Sequence, residues 1–223
     1  MSLQGAVFDA DGTLLDTMPY WYDIGAKYLE QNSIQAPPLL WRKFMNLSLS
    51  GSAKYLHDHF PLDQPVEEVE AGILQLVDDI YKKDCGMKPG ARAFLSELHR
   101  MGVPMVLATA NDSTLACAAL DRLGVMDWFA DAISCDMFGT TKQEPFIYEE
   151  AARRVGLTVP DTAVFEDILM AVRTAHSDGF YTVAMEDEAS EKERPAIRRT
   201  ADRYITDFAQ LNAAQLFTSR ATL

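Results

Sequence analysis

The stretch that decides the fold is residues 8–17, FDADGTLLDT, which follows the short apolar run QGAV at residues 4–7. Residues two apart on an extended chain point the same way, so Asp9 and Asp11 can serve one site where a strand ends. Gly12 then lets the backbone turn away. Paired carboxylates there suit a hard divalent cation, or a nucleophile beside an acid/base. Taken alone, the pair also fits a solvated turn.

Composition narrows the possible partners. The chain has 223 residues, of which 48% are hydrophobic, and a formal net charge of −13. This length fits one large domain or a domain with a smaller insertion. The acidic balance and the lack of a basic run argue against binding to nucleic acid or an anionic membrane. We therefore expect no nucleic-acid partner and no membrane partner.

Cysteine usage and hydropathy indicate the compartment. Cys85, Cys117 and Cys135 are odd in number and far apart, which argues against a disulfide framework and a structural zinc site. No apolar stretch approaches the about 18 residues that a bilayer span needs, and no basic-then-apolar leader begins the chain. These features predict a cytoplasmic protein.

Hydrophobic periodicity divides the chain into two kinds of segment. Residues 19–83 predict a bundle of about four helices, over 20–31, 39–45, 52–60 and 65–82. From residue 89 onward, helices, glycine stops and apolar runs alternate, which is typical of a parallel sheet. Strands are expected at 6–8, 103–108, 132–134, 163–165 and 181–185, with a last strand and a closing helix within 204–217. The predicted fold class is α/β, with a parallel sheet flanked by helices and an inserted α-helical bundle.

Polar side chains follow three of these strands. Asp9 and Asp11 end the first, Thr109 and Asn111 end the second, and Glu166 with Asp167 ends the fourth. Ligands of open parallel sheets bind outside the carboxyl ends of the strands. This convergence favours a site over a solvated turn.

Four motifs occur in a recognisable order: DADGTLLDT at residues 9–17, Thr109 in LATAND, Lys142 in TKQEPFIYEEAARRVG, and Glu166–Asp167 in FEDILMAV. With these motifs the chain resembles the haloacid dehalogenase superfamily, in the branch that includes β-phosphoglucomutase-like and phosphoglycolate phosphatase-like proteins. The resemblance covers nearly the whole length. It implies a Rossmann-like catalytic core at residues 1–16 and 87–223, and a helical cap at residues 17–86.

The resemblance also implies a reaction, the hydrolysis of a phosphoric monoester of a small phosphorylated metabolite. Asp9 would attack phosphorus and form an aspartyl phosphate, and Asp11 would act as general acid and then as general base. Thr109 and Asn111 would donate hydrogen bonds to the phosphoryl oxygens, and Lys142 would offset the charge of Asp9 and of the phosphate.

Mg²⁺ is the implied cofactor. Its ligands would be the Asp9 carboxylate, the Asp11 backbone carbonyl and Asp167, with Glu166 as an alternate ligand. We expect a monomer.

The cap is expected to contact the substrate, and the candidates are Tyr20, Trp21, Gly51 and Lys54.

The chain departs from the family pattern in two motifs. Ile168 and Ala171 stand where a serine and a glycine are common, and Gln143 and Glu144 follow Lys142 before Pro145. Ile168 and Ala171 motivate one alternative, a catalytically inactive protein that binds a phosphate ligand. Another is a β-phosphoglucomutase-like sugar phosphate mutase, although residues 18–26, MPYWYDIGA, lack the histidine of that mutase. Dehalogenase chemistry is disfavoured by Asp11.

Overall fold

The structure, a computed structural model, describes residues 3–44, 47–110 and 113–218. The chain forms two compact units. One comprises Met1–Asp16 and Gly86–Leu223, and the other comprises Thr17–Cys85. The sequence places the second boundary one residue later, between residues 86 and 87. That the smaller unit works as a cap stays a prediction.

The smaller unit is helical. Its helices are α1 (Met18–Gln31), α2 (Trp41–Phe44), α3 (Leu49–His59) and α4 (Val66–Asp79), and a π-helical turn follows at Ile80–Asp84. In α4, Val69, Ile73 and Val77 recur at helical spacing and are buried. The helix expected over 39–45 is shorter, and residue 45 lies outside the described residues.

The larger unit contains a six-stranded parallel sheet in the order β3-β2-β1-β4-β5-β6. The strands are β1 (Gly5–Phe8), β2 (Met105–Thr109), β3 (Asp131–Ser134), β4 (Thr162–Glu166), β5 (Tyr181–Met185) and β6 (Arg203–Ile205). The helices of this unit are α5 (Ala91–Arg100), α6 (Ser113–Arg122), α7 (Phe146–Arg154), α8 (Leu169–Asp178), α9 (Arg194–Thr200) and α10 (Ala213–Leu216). Short 3₁₀ turns occur at Met126–Trp128, Cys135–Phe138, Val159–Asp161, Glu188–Glu193 and Phe208–Gln210. The predicted α/β class is confirmed. None of the described helices has the length and apolar content that a membrane crossing requires.

The central strands are buried on both faces. Val7 and Val164 pack with residues of α7 and α8 in one core cluster. Phe8 and Phe165 point to the opposite face, where their rings stack with centroids 4.3 Å apart and Phe94 of α5 lies against Phe165. Because side chains alternate along a strand, the residue after Phe8 and the residue after Phe165 return to the face covered by α7.

A partly buried ion cluster lies where the chain leaves and re-enters the larger unit. The backbone N–H of Asp16 donates to Gly86, and the backbone N–H of Lys88 donates to Leu14. The Lys88 ammonium lies 2.6 Å from an oxygen of the buried Asp187 carboxylate and 3.1 Å from Asp16. Both crossing segments are therefore fixed to the core.

Candidate active site

The strand order places the first motif at the centre of the sheet. β1 lies between β2 and β4, and the backbone N–H of Asp9 donates to the Phe165 carbonyl at 3.0 Å. Thr109 is the last residue of β2 and Glu166 the last of β4, so both lie at the same edge as Asp9. The chain runs from β1 to β2 on one side and returns to β4 on the other. Ligands of parallel sheets bind at such a switch point.

Three carboxylates meet there. Asp9, Glu166 and Asp167 are buried, and each offers an oxygen that lies within 4.8 Å of the others. Buried carboxylates need compensation, because removing a charge from water is costly. Oxygen ligands converging at this spacing suit a hard divalent cation such as Mg²⁺. The chemistry of these donors therefore fits the predicted metal.

The Lys142 ammonium bridges two of the carboxylates. It donates to Asp9 Oδ1 and, at 2.6 Å, to Glu166 Oε1. Lys142 lies in the loop before α7, where it is buried while Gln143 and Glu144 are exposed. The unusual residues of the third motif therefore face solvent and leave the lysine on the carboxylates.

Thr13 links the remaining carboxylate oxygens. Its hydroxyl lies 3.2 Å from Asp9 Oδ2 and 3.3 Å from Asp167 Oδ1, so its single proton can be donated to either. Gly12 makes this turn possible, because its φ is +78° and a Cβ there would lie 2.4 Å from Asp167 Oδ2. Thr13 and Gly12 of the first motif thus lie against the Asp167 carboxylate of the fourth motif and limit its position.

Tyr148 reaches the cluster from α7. Its hydroxyl donates to Glu166 Oε1 at 2.8 Å, the oxygen that also accepts from Lys142. Burial, and then the charge of Glu166, raises the pKa of Tyr148 well above its usual value. The hydroxyl therefore remains protonated and acts as a donor.

The pKa values of the cluster reflect its burial first and then its neighbouring charges. Burial raises the pKa of Asp9 to about 7, although Lys142 lowers it. Burial together with the charges of Asp9 and Glu166 raises the pKa of Asp167 well above its usual value. Burial opposes the charged form of Lys142, but Asp9 and Glu166 outweigh it, so the pKa of Lys142 is raised. The cluster contains three carboxylates and one ammonium group. A bound cation would therefore offset negative charge that Lys142 does not.

For the other predicted residues of the larger unit that it describes, the structure gives their position and burial. Asp11 is half-buried in the turn after β1, and its charge contributes to the raised pKa of Asp9. Thr109 is buried at the end of β2, and Asn111 lies outside the described residues. Ile168 packs against the core cluster and Ala171 is buried within it. The two apolar residues of the fourth motif thus contribute to the hydrophobic core.

The substrate candidates of the helical unit have their own local contacts. The Tyr20 hydroxyl donates to the Asp84 carbonyl, and Lys54 pairs with Asp58 one turn along α3. Trp21 is half-buried in α1, and the Gly51 N–H donates to the Ser48 hydroxyl, which caps α3. Their role towards a substrate stays a prediction.

Sequence reasoning missed Thr13 and Tyr148. Thr13 lies inside the first motif, four residues after Asp9, and a hydroxyl there could have been flagged as a partner for a carboxylate. Tyr148 lies on the apolar side of α7 beside Ile147, Ala151 and Ala152. A tyrosine in such a stripe signals a buried hydroxyl that needs a partner.

Comparison with known proteins places the chain in a family. The family of haloacid dehalogenase-like hydrolases matches residues 3–177, which is more than half of the chain. The chain belongs to this family. The predicted family and the predicted enzyme class, a phosphoric monoester hydrolase of the haloacid dehalogenase type, are both confirmed.

Individual relatives of this haloacid dehalogenase-like hydrolase are distant but cover most of its length. The fructose-1-phosphate phosphatase YqaB of Escherichia coli is 27% identical over 80% of this chain and 94% of its own. A phosphoglycolate phosphatase of Neisseria meningitidis is 25% identical over 82% of this chain and 80% of its own. The crystal structure of CbbY from Rhodobacter sphaeroides in complex with phosphate is similar with a TM-score of 0.74, at 20% identity, over 96% of this chain and 99% of that one. That structural likeness supports the fold.

Proposed function

We propose that this hydrolase is a Mg²⁺-dependent phosphatase that acts on a small phosphorylated metabolite, with sugar phosphates as the first class to test. The observation that carries the proposal is the contact between the Lys142 ammonium and Asp9, beside the carboxylates of Glu166 and Asp167. The names of two relatives, which specify fructose 1-phosphate and phosphoglycolate, support a small phosphate ester.

Asp9 is the nucleophile in this proposal. A carboxylate oxygen forms a bond to phosphorus while the bond from phosphorus to the ester oxygen breaks. Lys142 holds Asp9 in place and offsets negative charge as the phosphoryl group approaches. Thr13 limits the rotation of the carboxylate when its hydroxyl donates to the other oxygen, Oδ2.

Asp11 is the proton-transfer group. Its carboxyl proton goes to the departing alkoxide, which leaves as an alcohol. The resulting carboxylate then takes a proton from the attacking water, whose oxygen forms the new bond to phosphorus. The bond between Asp9 and phosphorus breaks, and orthophosphate leaves with Asp9 restored.

Mg²⁺ would be held by Asp9, Asp167 and the Asp11 carbonyl, and it would neutralise charge on the transferring phosphoryl group. Glu166 accepts from Lys142, Tyr148 and the Asp167 backbone N–H. We therefore assign Glu166 to hold the lysine, with metal ligation as its secondary role.

The test is orthophosphate release from a panel of esters that includes fructose 1-phosphate and phosphoglycolate, with Mg²⁺ and with a chelator. We expect Mg²⁺-dependent release that Asp9→Asn lowers more than 1,000-fold, on the order of the loss of an essential catalytic group. The matched control is Asp121→Asn, because Asp121 is an exposed carboxylate on α6. This variant should keep full activity. Full activity in chelator or in Asp9→Asn would refute the proposal.

Product analysis of the same reactions separates the alternatives. An isomerised sugar phosphate without net orthophosphate would indicate a mutase. Ligand binding without turnover across the panel would indicate a binding protein.

A further inference from the structure

The Tyr148 hydroxyl is the one polar atom that α7 directs into the acidic cluster among the side-chain contacts described for that helix. The side chain is fully buried, and its ring meets Phe180 edge-on with centroids 6.2 Å apart. The ring belongs to the apolar core cluster that includes Val164 and Ala171. Packing alone would be served by phenylalanine, which has almost the same shape.

The hydroxyl therefore has a purpose beyond filling space. A buried hydroxyl is costly unless it is hydrogen-bonded, and this one has a charged partner at 2.8 Å. Hydrogen bonds to an ionised carboxylate are about twice as strong as those between neutral groups. The bond from Tyr148 thus restrains the carboxylate of Glu166.

That carboxylate is held on both oxygens. Oε1 accepts from Tyr148 and from Lys142, and Oε2 lies 3.3 Å from the backbone N–H of Asp167. Because Glu166 is fixed, Lys142 has a fixed partner in addition to Asp9. The ammonium is then presented to Asp9 in one orientation.

We propose that Tyr148 is a positioning residue for phosphoryl transfer, which acts through Glu166 to hold Lys142 on Asp9. This inference rests on the proposed function, because it gives Lys142 its task in that reaction. Tyr148 itself touches neither the substrate nor the nucleophile in this scheme. Its hydroxyl restrains Glu166, so that the Lys142 ammonium keeps its position while the phosphoryl group is transferred.

The first test compares Tyr148→Phe with Tyr204→Phe. Tyr204 also donates to a glutamate at 2.8 Å, but its partner is Glu186, which follows β5. We expect Tyr148→Phe to lower kcat about tenfold and to leave KM within twofold, because the ammonium matters most in the transition state. Tyr204→Phe should leave both constants unchanged. A kcat for Tyr148→Phe within twofold of the wild type would overturn the proposal, whatever its melting temperature.

A second test asks whether the effect passes through Glu166. In a Glu166→Ala background, adding Tyr148→Phe should change kcat by less than twofold, because the acceptor through which Tyr148 acts is already gone. Equal tenfold losses in both backgrounds would show that Tyr148 acts by another route.

A third measurement separates failure of this inference from failure of the proposed function. If the wild-type protein releases no phosphate from any ester, the proposed function fails, and crystal structures of the wild type and Tyr148→Phe still decide the role of Tyr148. Displacement of the Lys142 ammonium from Glu166 or Asp9 in the variant would support the positioning role. An unchanged bridge would overturn it.

Discussion

Replacing Gly12 with alanine tests how closely the first and fourth motifs fit together. The new Cβ would lie 2.4 Å from Asp167 Oδ2, whereas ordinary contact begins at 3.4 Å. The Asp167 carboxylate would therefore have to retreat by about 1 Å. Misplacement of a reacting geometry by about 1 Å can cost on the order of 100-fold in rate. We expect Gly12→Ala to lower kcat by about that factor and to raise the Mg²⁺ concentration needed for half-maximal activity.

The same substitution also strains the backbone. Gly12 has φ +78°, and a left-handed conformation costs an L-residue about 1–2 kcal/mol. Gly156→Ala is the matched control, because Gly156 has φ +70° and a Cβ there would meet nothing within 4 Å. Both variants should lose about 1–2 kcal/mol of unfolding free energy in urea, but Gly156→Ala should keep its kcat.

Steady-state kinetics over a Mg²⁺ titration, together with urea unfolding, distinguish the two costs. If Gly12→Ala kept the kcat and the Mg²⁺ requirement of Gly156→Ala, the proposed dependence on the position of Asp167 would be wrong.

Two further substitutions test contacts in the larger unit. Thr13→Val removes the hydroxyl between the Asp9 and Asp167 carboxylates and should lower kcat about tenfold, on the scale of one hydrogen bond to a charged group; Thr13→Ser should restore it, and equal rates in all three proteins would contradict the bridging role. Lys88→Met leaves the buried Asp187 without its cation and should lower the unfolding free energy by about 3 kcal/mol at pH 7. Burial lowers the pKa of Lys88, but its acidic partners raise it above 10.5, so its stabilisation is complete below pH 10.5 and is lost as pH rises through the folded-state pKa. In urea titrations, the difference between Lys88→Met and the wild type should therefore narrow only above pH 10.5, and a constant difference would contradict the ion pairing.

Much of the sheet could be predicted because most of its strands contain a short apolar run that ends at a polar residue. Val7 and Phe8 serve opposite faces, and such double burial gives a continuous apolar pattern. The order of the strands in the sheet could not be predicted in the same way. The pairing of β1 with β4 depends on contacts between residues more than 150 positions apart, which local patterns do not encode.

The site shows the same division. Asp9 and Asp167 could be proposed because each follows a predicted strand, and parallel strand ends meet at one edge. Lys142 could be assigned to Asp9 only through the family resemblance, because its direction depends on a loop whose neighbours Gln143 and Glu144 face solvent. The sequence signals that Thr13 and Tyr148 need polar partners, but which carboxylates they contact is fixed by tertiary packing.

The most direct test of the account is to look for the phosphoryl group on Asp9 itself. The protein would be mixed with a phosphate ester that it turns over in the presence of Mg²⁺, quenched in acid within one turnover, digested and analysed by mass spectrometry. We predict a phosphorylated peptide whose modified residue is Asp9, and its loss in Asp9→Asn. Turnover of the ester at full rate with no phosphoryl group on Asp9 at any quench time would contradict the central claim.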